Sequence, residues 1–247
     1  MYEKTGRYYA LFGPAAQTTP AEEAFFRHYG EGRARALDLG AGLCGPAMLL
    51  ARLGLDVLAV EPSPTLAALA LDRVGRAAGD ALRVTLVEGE VSALNEAFRA
   101  DLVLMRSVWM LLDDEARYVA LEAARRHSAP GALLIVDART RALDWADRPG
   151  PQEQRAVGHT AYRRRARYAR RSNGDTEVHW VVEAERFGRL VEVVEESFLV
   201  RADTLAGLSE DLRRAGFVRE RAFASYDLQA PFAETAAMLV AVARAGG

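Results

Sequence analysis

Short apolar runs alternating with longer amphipathic stretches organise most of this chain. Ala34 to Leu39 has the pattern of a buried strand that ends in glycines, Pro46 to Leu53 reads as a helix, and Asp56 to Val60 as a second buried strand. A long amphipathic helix is predicted from about Pro64 to Ala78, then a third strand over Leu82 to Glu88. The alternation continues with a strand at Asp101 to Met105, a helix at Asp113 to His127, and a strand at Gly131 to Asp137 introduced by Pro130-Gly131. Strands separated by helices require crossovers, which are right-handed and give a parallel sheet covered on both faces. The expected class is α/β.

The pattern differs at both ends of this region. Residues 1 to about 29 predict one or two short helices, broken at Phe12-Gly13-Pro14, with Thr19-Pro20-Ala21-Glu22-Glu23 as a helix start. Residues 139–157 are polar and proline-bearing, as in a loop. Ala161 to Arg171 and Thr176 to Arg186 then predict a hairpin about Asn173-Gly174, a pair suited to a type I′ turn. With a two-residue loop, Arg170 would face Glu177, Arg164 would face Glu183, Arg167 would face Trp180 and His179 would face Tyr168. Leu190 to Val200 offers a third antiparallel strand. A helix at Thr204 to Ala215 and two strands near Phe217 to Tyr226 and Ala237 to Ala243 close the chain.

Composition narrows the class. The 247 residues carry a formal net charge of −2, which argues against nucleic acid as the main partner. No apolar run approaches the roughly 20 residues of a membrane span, so no membrane partner is expected. Met1-Tyr2-Glu3-Lys4 lacks a secretory pattern, and the single cysteine, Cys44, forms no internal disulfide; both fit a cytoplasmic protein. Lys4 is the only lysine, which argues against Schiff-base chemistry. No Cys/His cluster has metal-ligand spacing, so no metal is expected.

The chemistry concentrates in Asp38-Leu39-Gly40-Ala41-Gly42-Leu43-Cys44-Gly45. Its glycines allow a sharp turn and bring a ligand against bare backbone at a helix N-terminus. Gly40-x-Gly42-x-x-Gly45 alone also satisfies a dinucleotide fingerprint, and Glu61 stands where a ribose-binding acid is expected. Asp38 separates the possibilities. A carboxylate there opposes a pyrophosphate but favours the ammonium and sulfonium of S-adenosylmethionine. Glu88-Gly89-Glu90-Val91, after the third strand, could accept from an adenine amino group or be a solvated loop.

The order Asp38-Leu-Gly-Ala-Gly, Glu61-Pro62-Ser63, Glu88-Gly89-Glu90-Val91 and Pro130-Gly131-Ala-Leu-Leu-Ile-Val-Asp137 resembles the class I S-adenosylmethionine-dependent methyltransferases. The resemblance covers residues 30–138 and 202–247. It implies a Rossmann-like, mostly parallel sheet of seven strands flanked by helices, its last strand antiparallel. Residues 139–201 would be an antiparallel β cap inserted after strand five, similar to that of small-molecule N-methyltransferases, and 1–29 an N-terminal lid. Asp38, Gly40, Ala41 and Gly42 would hold the methionine part, Glu61 with Pro62 the ribose, and Gly89, Glu90 and Val91 the adenine. Arg106 or Ser107 would line the pocket after strand four. The family often has Asp where Glu90 stands. Tyr8 or Tyr9 resembles an N-terminal tyrosine that closes over the cofactor in some members. A homodimer through the cap would also fit.

The expected reaction is methyl transfer to an N or O nucleophile of a small metabolite, helped by alignment and water exclusion. An alcohol needs a better base than an amine. Tyr9, His159, Tyr162 and His179 are the catalytic candidates, each with a structural role as the alternative. Arg163, Arg165 and Arg167 would suit an anionic acceptor unless they pair with Glu across the hairpin. Met105-Arg106-Ser107-Val108-Trp109 lacks the motif of DNA amino methyltransferases, and Cys44 is misplaced for cytosine-C5 chemistry. Three alternatives remain: cyclisation or cleavage of the sulfonium without methyl transfer, a nicotinamide oxidoreductase, and a non-catalytic binding protein.

Overall fold

The computed structural model describes residues 4–12, 18–77, 83–95, 97–142 and 149–246. The expected alternation forms β1 (Arg35–Leu39), β2 (Asp56–Glu61), β3 (Val84–Glu88), β4 (Ala100–Met105) and β5 (Ser128–Thr140), all paired in parallel. Near the end of the chain come β11 (Phe217–Phe223) and β12 (Met238–Ala245). The strand order is β11-β12-β5-β4-β1-β2-β3, and β12 runs antiparallel to both neighbours. The fold is thus Rossmann-like, with β12 between β5 and β11.

Successive residues of the central strands alternate between two cores. Ala36, Leu102, Leu104 and Ile135 pack with α2 (Pro20–Gly30), α3 (Gly45–Arg52) and α4 (Pro64–Arg76). Leu37, Val103, Met105 and Leu134 pack on the other side with α5 (Asp114–Arg126) and α6 (Leu205–Arg214). Both faces are apolar because both are covered. Local signals set the helix starts. Thr19 and Glu22 form a reciprocal capping box on α2, while Ser63, Asp113 and Thr204 cap α4, α5 and α6. The predicted break at Gly13-Pro14 and the strand start at Leu82 lie outside the described residues.

The insert is a separate antiparallel sheet in the order β6 (Pro149–Val157), β7 (Thr160–Arg170), β8 (Thr176–Arg186) and β9 (Arg189–Val200). The short β10 (Ala202–Asp203) then pairs with Arg139–Thr140 of β5, so the exit from the insert is bound beside its entry. Two expectations need correction. Residues 139–157 are not simply a loop: β5 continues to Thr140 and β6 is an edge strand, while 143–148 lie outside the described residues. An edge strand with one neighbour tolerates prolines and polar side chains, so its sequence carries no apolar alternation.

The hairpin register is also shifted by one residue. Arg163 lies opposite Glu183, Arg164 opposite Val182, Arg167 opposite His179 and Arg170 opposite Thr176. The Arg171 N–H donates to the Asp175 carbonyl (2.8 Å), and Gly174, at φ +96°, is the one turn residue with positive φ. The loop therefore has three residues, with glycine last, rather than a two-residue type I′ turn. The Asn173 side chain favours it by bonding to both the N–H and the carboxylate of Asp175. Arg164 consequently turns inward, and Arg163 and Arg165 pair with Glu183 on the outward face.

Candidate active site

A cavity of about 640 Å³ opens at the C-terminal ends of β1, β2 and β4, where open α/β sheets bind ligands. The loop after β1 is shaped by its glycines. The N–H groups of Gly40 and Ala41 donate to the Val60 carbonyl, which fixes the loop against β2. Gly40 sits at φ +69°, and a Cβ there would lie 2.8 Å from Val108 Cγ2. Gly42, at φ +54°, has open space where its Cβ would be. The loop then leads into α3 through Cys44, itself left-handed at φ 56°.

Asp38, Glu61 and Glu90 bring carboxylates to this cavity, and Arg106 brings a guanidinium. Asp38 is 1% exposed and accepts a bond from the Ala47 N–H at the start of α3. Its Oδ2 is buried and has no hydrogen-bond partner among the described residues. Burial raises its carboxyl to about 7, against the opposing pull of Arg106. Glu61 accepts from the N–H groups of Gly42 (2.8 Å) and Ser63 (2.9 Å), and burial raises its carboxyl as well. Both carboxylates therefore face a site that rewards an incoming cation or donor.

The far wall is built after β4. Ser107 adopts φ 58° and donates its N–H to Asp137 Oδ1 (2.6 Å); Tyr226 donates its hydroxyl to Oδ2 (3.0 Å). Arg106 bonds Glu22 of α2 (2.7 Å) and lies 5.7 Å from the Tyr226 ring centre, and its buried Nε has no partner among the described residues. Glu22 thus serves both the α2 cap and the pocket wall. Sequence reasoning gives Asp137 and Tyr226 no role in the site, and Glu22 only a place in the helix start. Asp137 closes the apolar run after Pro130-Gly131 and lies near the end of β5, next to β4, a position that could have marked it. Nothing local marks Tyr226, or the bond of Glu22 to Arg106, because those partners are distant in the chain.

The structure brings together Tyr9, Asp38, Gly40, Ala41, Gly42, Glu61, Pro62, Glu90, Arg106 and Ser107 around this cavity. Val108, Leu111 and Leu112 add an apolar side. Gly89 and Val91 are not among the lining residues: the Gly89 N–H donates to the Glu61 carbonyl, and Val91 packs against the second core. The other catalytic candidates lie elsewhere. Tyr162 packs against Tyr8 (5.8 Å between ring centres), and His159 packs against exposed Phe187 at the hairpin tips. His179 bonds Ser197 (2.8 Å) on the cap sheet. His127 is buried, its ring bonded to the Phe98 carbonyl. Among the described residues, no group of three or more potential ligands could hold a metal, and no helix is long and apolar enough to cross a membrane.

The glycine loop, the two buried acids and the β4 wall fall in one continuous stretch, and residues 37–136 match the family described as a methyltransferase domain. This stretch is the part of the chain that is similar to methyltransferase domains. The match includes Asp38, Glu61, Glu90, Arg106 and Ser107, but not Tyr9 or the cap. No curated protein matches by sequence. Among solved structures, the CcbJ methyltransferase from Streptomyces caelestis is 19% identical, with a TM-score of 0.76 over 99% of this chain and 97% of that one. The sugar N-methyltransferase KedS8 from a Streptoalloteichus species is 15% identical, with a TM-score of 0.76 over 97% and 92%. CalS10, an amino pentose methyltransferase from Micromonospora echinaspora, is 19% identical, with a TM-score of 0.64 over 90% and 87%. At these identities the likeness is one of fold. The coverage shows that the likeness extends over the cap as well as the sheet.

Proposed function

We propose that this methyltransferase uses S-adenosylmethionine to methylate a nitrogen of a small molecule. The observation that carries the reading is the unpartnered Asp38 Oδ2, buried in the wall of the cavity. A buried carboxylate oxygen without a partner is costly, and a cationic ligand satisfies it. Asp38 would accept from the ammonium of the methionine part, Glu61 from the ribose hydroxyls and Glu90 from the adenine amino group. Gly42 leaves space for the ligand to lie against the backbone. A cavity of about 640 Å³ lies within the roughly 300–1,000 Å³ usual for small-ligand sites. When bound, the cofactor supplies a methyl group on an electrophilic sulfonium.

The chain's own residues supply position and dryness. Val108, Leu111 and Leu112 exclude water from one side, and proximity accounts for much of the rate in such displacements. No histidine lines the cavity among the described residues. Burial holds the Tyr9 phenol above its ordinary value, so at neutral pH it keeps its proton and can orient an acceptor but not deprotonate it. This lining favours an amine, which needs at most a weak base, over an alcohol. KedS8, a sugar N-methyltransferase of the same fold, supports an amine acceptor.

Calorimetric titration of S-adenosylmethionine, S-adenosylhomocysteine and NADH tests the cofactor, with Asp38→Ala/Glu61→Ala alongside the wild type. Micromolar binding of the adenosyl ligands that the double variant loses is expected. Binding of NADH alone would overturn the reading. Turnover with a panel of small amines should release S-adenosylhomocysteine; methylthioadenosine would instead mean that the sulfonium is cleaved.

A further inference from the structure

Helix α1 (Gly6–Phe12) packs beside α4 of the core, and its side-chain hydrogen bonds tie it to the cap. Just before it, Thr5 is 1% exposed and gives both its N–H and its hydroxyl to Glu196 of β9. Tyr8 donates its hydroxyl to Glu192, on the same face of β9 and nearer its start, and Arg7 pairs with the same carboxylate. The Tyr8 and Phe12 side chains are buried against Val182 of β8, and Arg164 lies 5.4 Å from the Phe12 ring centre. Burial and the Glu192 bond push the Tyr8 phenol up to about 12, so it remains a donor. The next residue, Tyr9, is turned about 100° round the helix. It lines the cavity with Asp38, Glu61 and Arg106.

These contacts give α1 two faces with different tasks, one clasped by cap carboxylates and one presented to the reaction cavity. We infer that Glu192 and Glu196 are positioning residues: through Thr5 and Tyr8 they set Tyr9 against the bound cofactor. The inference rests on the cavity being the cofactor site. The cap therefore takes part in cofactor binding although no cap strand contributes a side chain to the cavity among the described lining residues. Alternation on β9 places both carboxylates on the face toward α1, since residues four apart in a strand share a face.

The test titrates S-adenosylhomocysteine into the wild type, Glu192→Gln/Glu196→Gln, Tyr9→Phe and the combined variant, with amide hydrogen exchange across residues 5–12. Glutamine keeps the size and removes the charge that strengthens each bond. The glutamine pair should weaken binding roughly tenfold and speed exchange in α1, as expected for loss of a charge-assisted contact. Adding Tyr9→Phe should then cost little more, because both changes act through one side chain. Unaltered α1 exchange would overturn the clasp. Faster exchange with wild-type affinity, or losses that simply add, would overturn the positioning role. Failure of the wild type to bind S-adenosylhomocysteine would overturn the functional reading itself, and with it the task given to Tyr9.

Discussion

Burial raises the Asp38 carboxyl from its ordinary 3.8 to about 7, and this couples ligand affinity to pH in a direction that can be worked out. A cationic ligand is favoured by the ionised form. Affinity for S-adenosylmethionine should rise from pH 6 to pH 8 in the wild type and stay nearly flat in Asp38→Asn, measured by calorimetry. The variant should also bind roughly 10- to 100-fold more weakly, the range for a lost bond to a charged group. Stability without ligand moves the other way. Between 3.8 and about 7 the folded chain keeps a proton on Asp38 that the unfolded chain has released, so this group's contribution falls as pH rises through that window. Asp38→Asn should therefore unfold at higher urea than the wild type at pH 8, with the difference vanishing near pH 4. The glycines of the same loop differ in their tolerance. Gly42→Ala should lose only about 1–2 kcal/mol, the cost of a left-handed alanine in open space. Gly40→Ala should lose more, because its Cβ must displace Val108, and it should weaken cofactor binding by moving a cavity wall.

Helix α2 shows how a local signal can hide a distant one. Thr19→Ala removes half of the capping box and should cost about 1 kcal/mol in urea unfolding. Glu22→Ala removes the other half and also frees Arg106, so it should cost more and weaken S-adenosylhomocysteine binding, which Thr19→Ala should not. The cap spacing at Thr19 and Glu22 was legible in the sequence because both partners lie within one turn. So were the alternation of β1 to β5 and the glycine loop, whose apolar runs and turn residues report local backbone needs. The register of β7 and β8 was not, since Asn173-Gly174 is compatible with two loop lengths and the choice is made by the Asp175 contacts. Strand β6 was missed because an edge strand needs no apolar face. The positions of His159, Tyr162 and His179 depended on how the cap lies over the sheet, which no local pattern encodes.

The insert interrupts the sheet between β5 and α6, and a buried cluster holds the return of the chain. Asp203 accepts from the Trp109 indole N–H (2.8 Å) and pairs with Arg117 (3.2 Å), whose guanidinium lies 4.6 Å from the Trp109 ring centre. Both charged side chains are about nine-tenths buried. Asp203→Ala would leave Arg117 buried without its counter-charge and should cost roughly 3–5 kcal/mol in equilibrium unfolding, far more than loss of an exposed pair such as Arg76–Asp72. The position of β12 has a consequence of another kind. It fills the slot between β5 and β11, yet it follows β5 in the chain only after the whole cap, α6 and β11. While a ribosome is still making the cap, one edge of β5 and its apolar neighbours have no partner, and the nascent chain presents an open strand. Sheet completion then waits for β12, so the open edge of β5 is a site for mispairing for as long as the cap, α6 and β11 take to emerge.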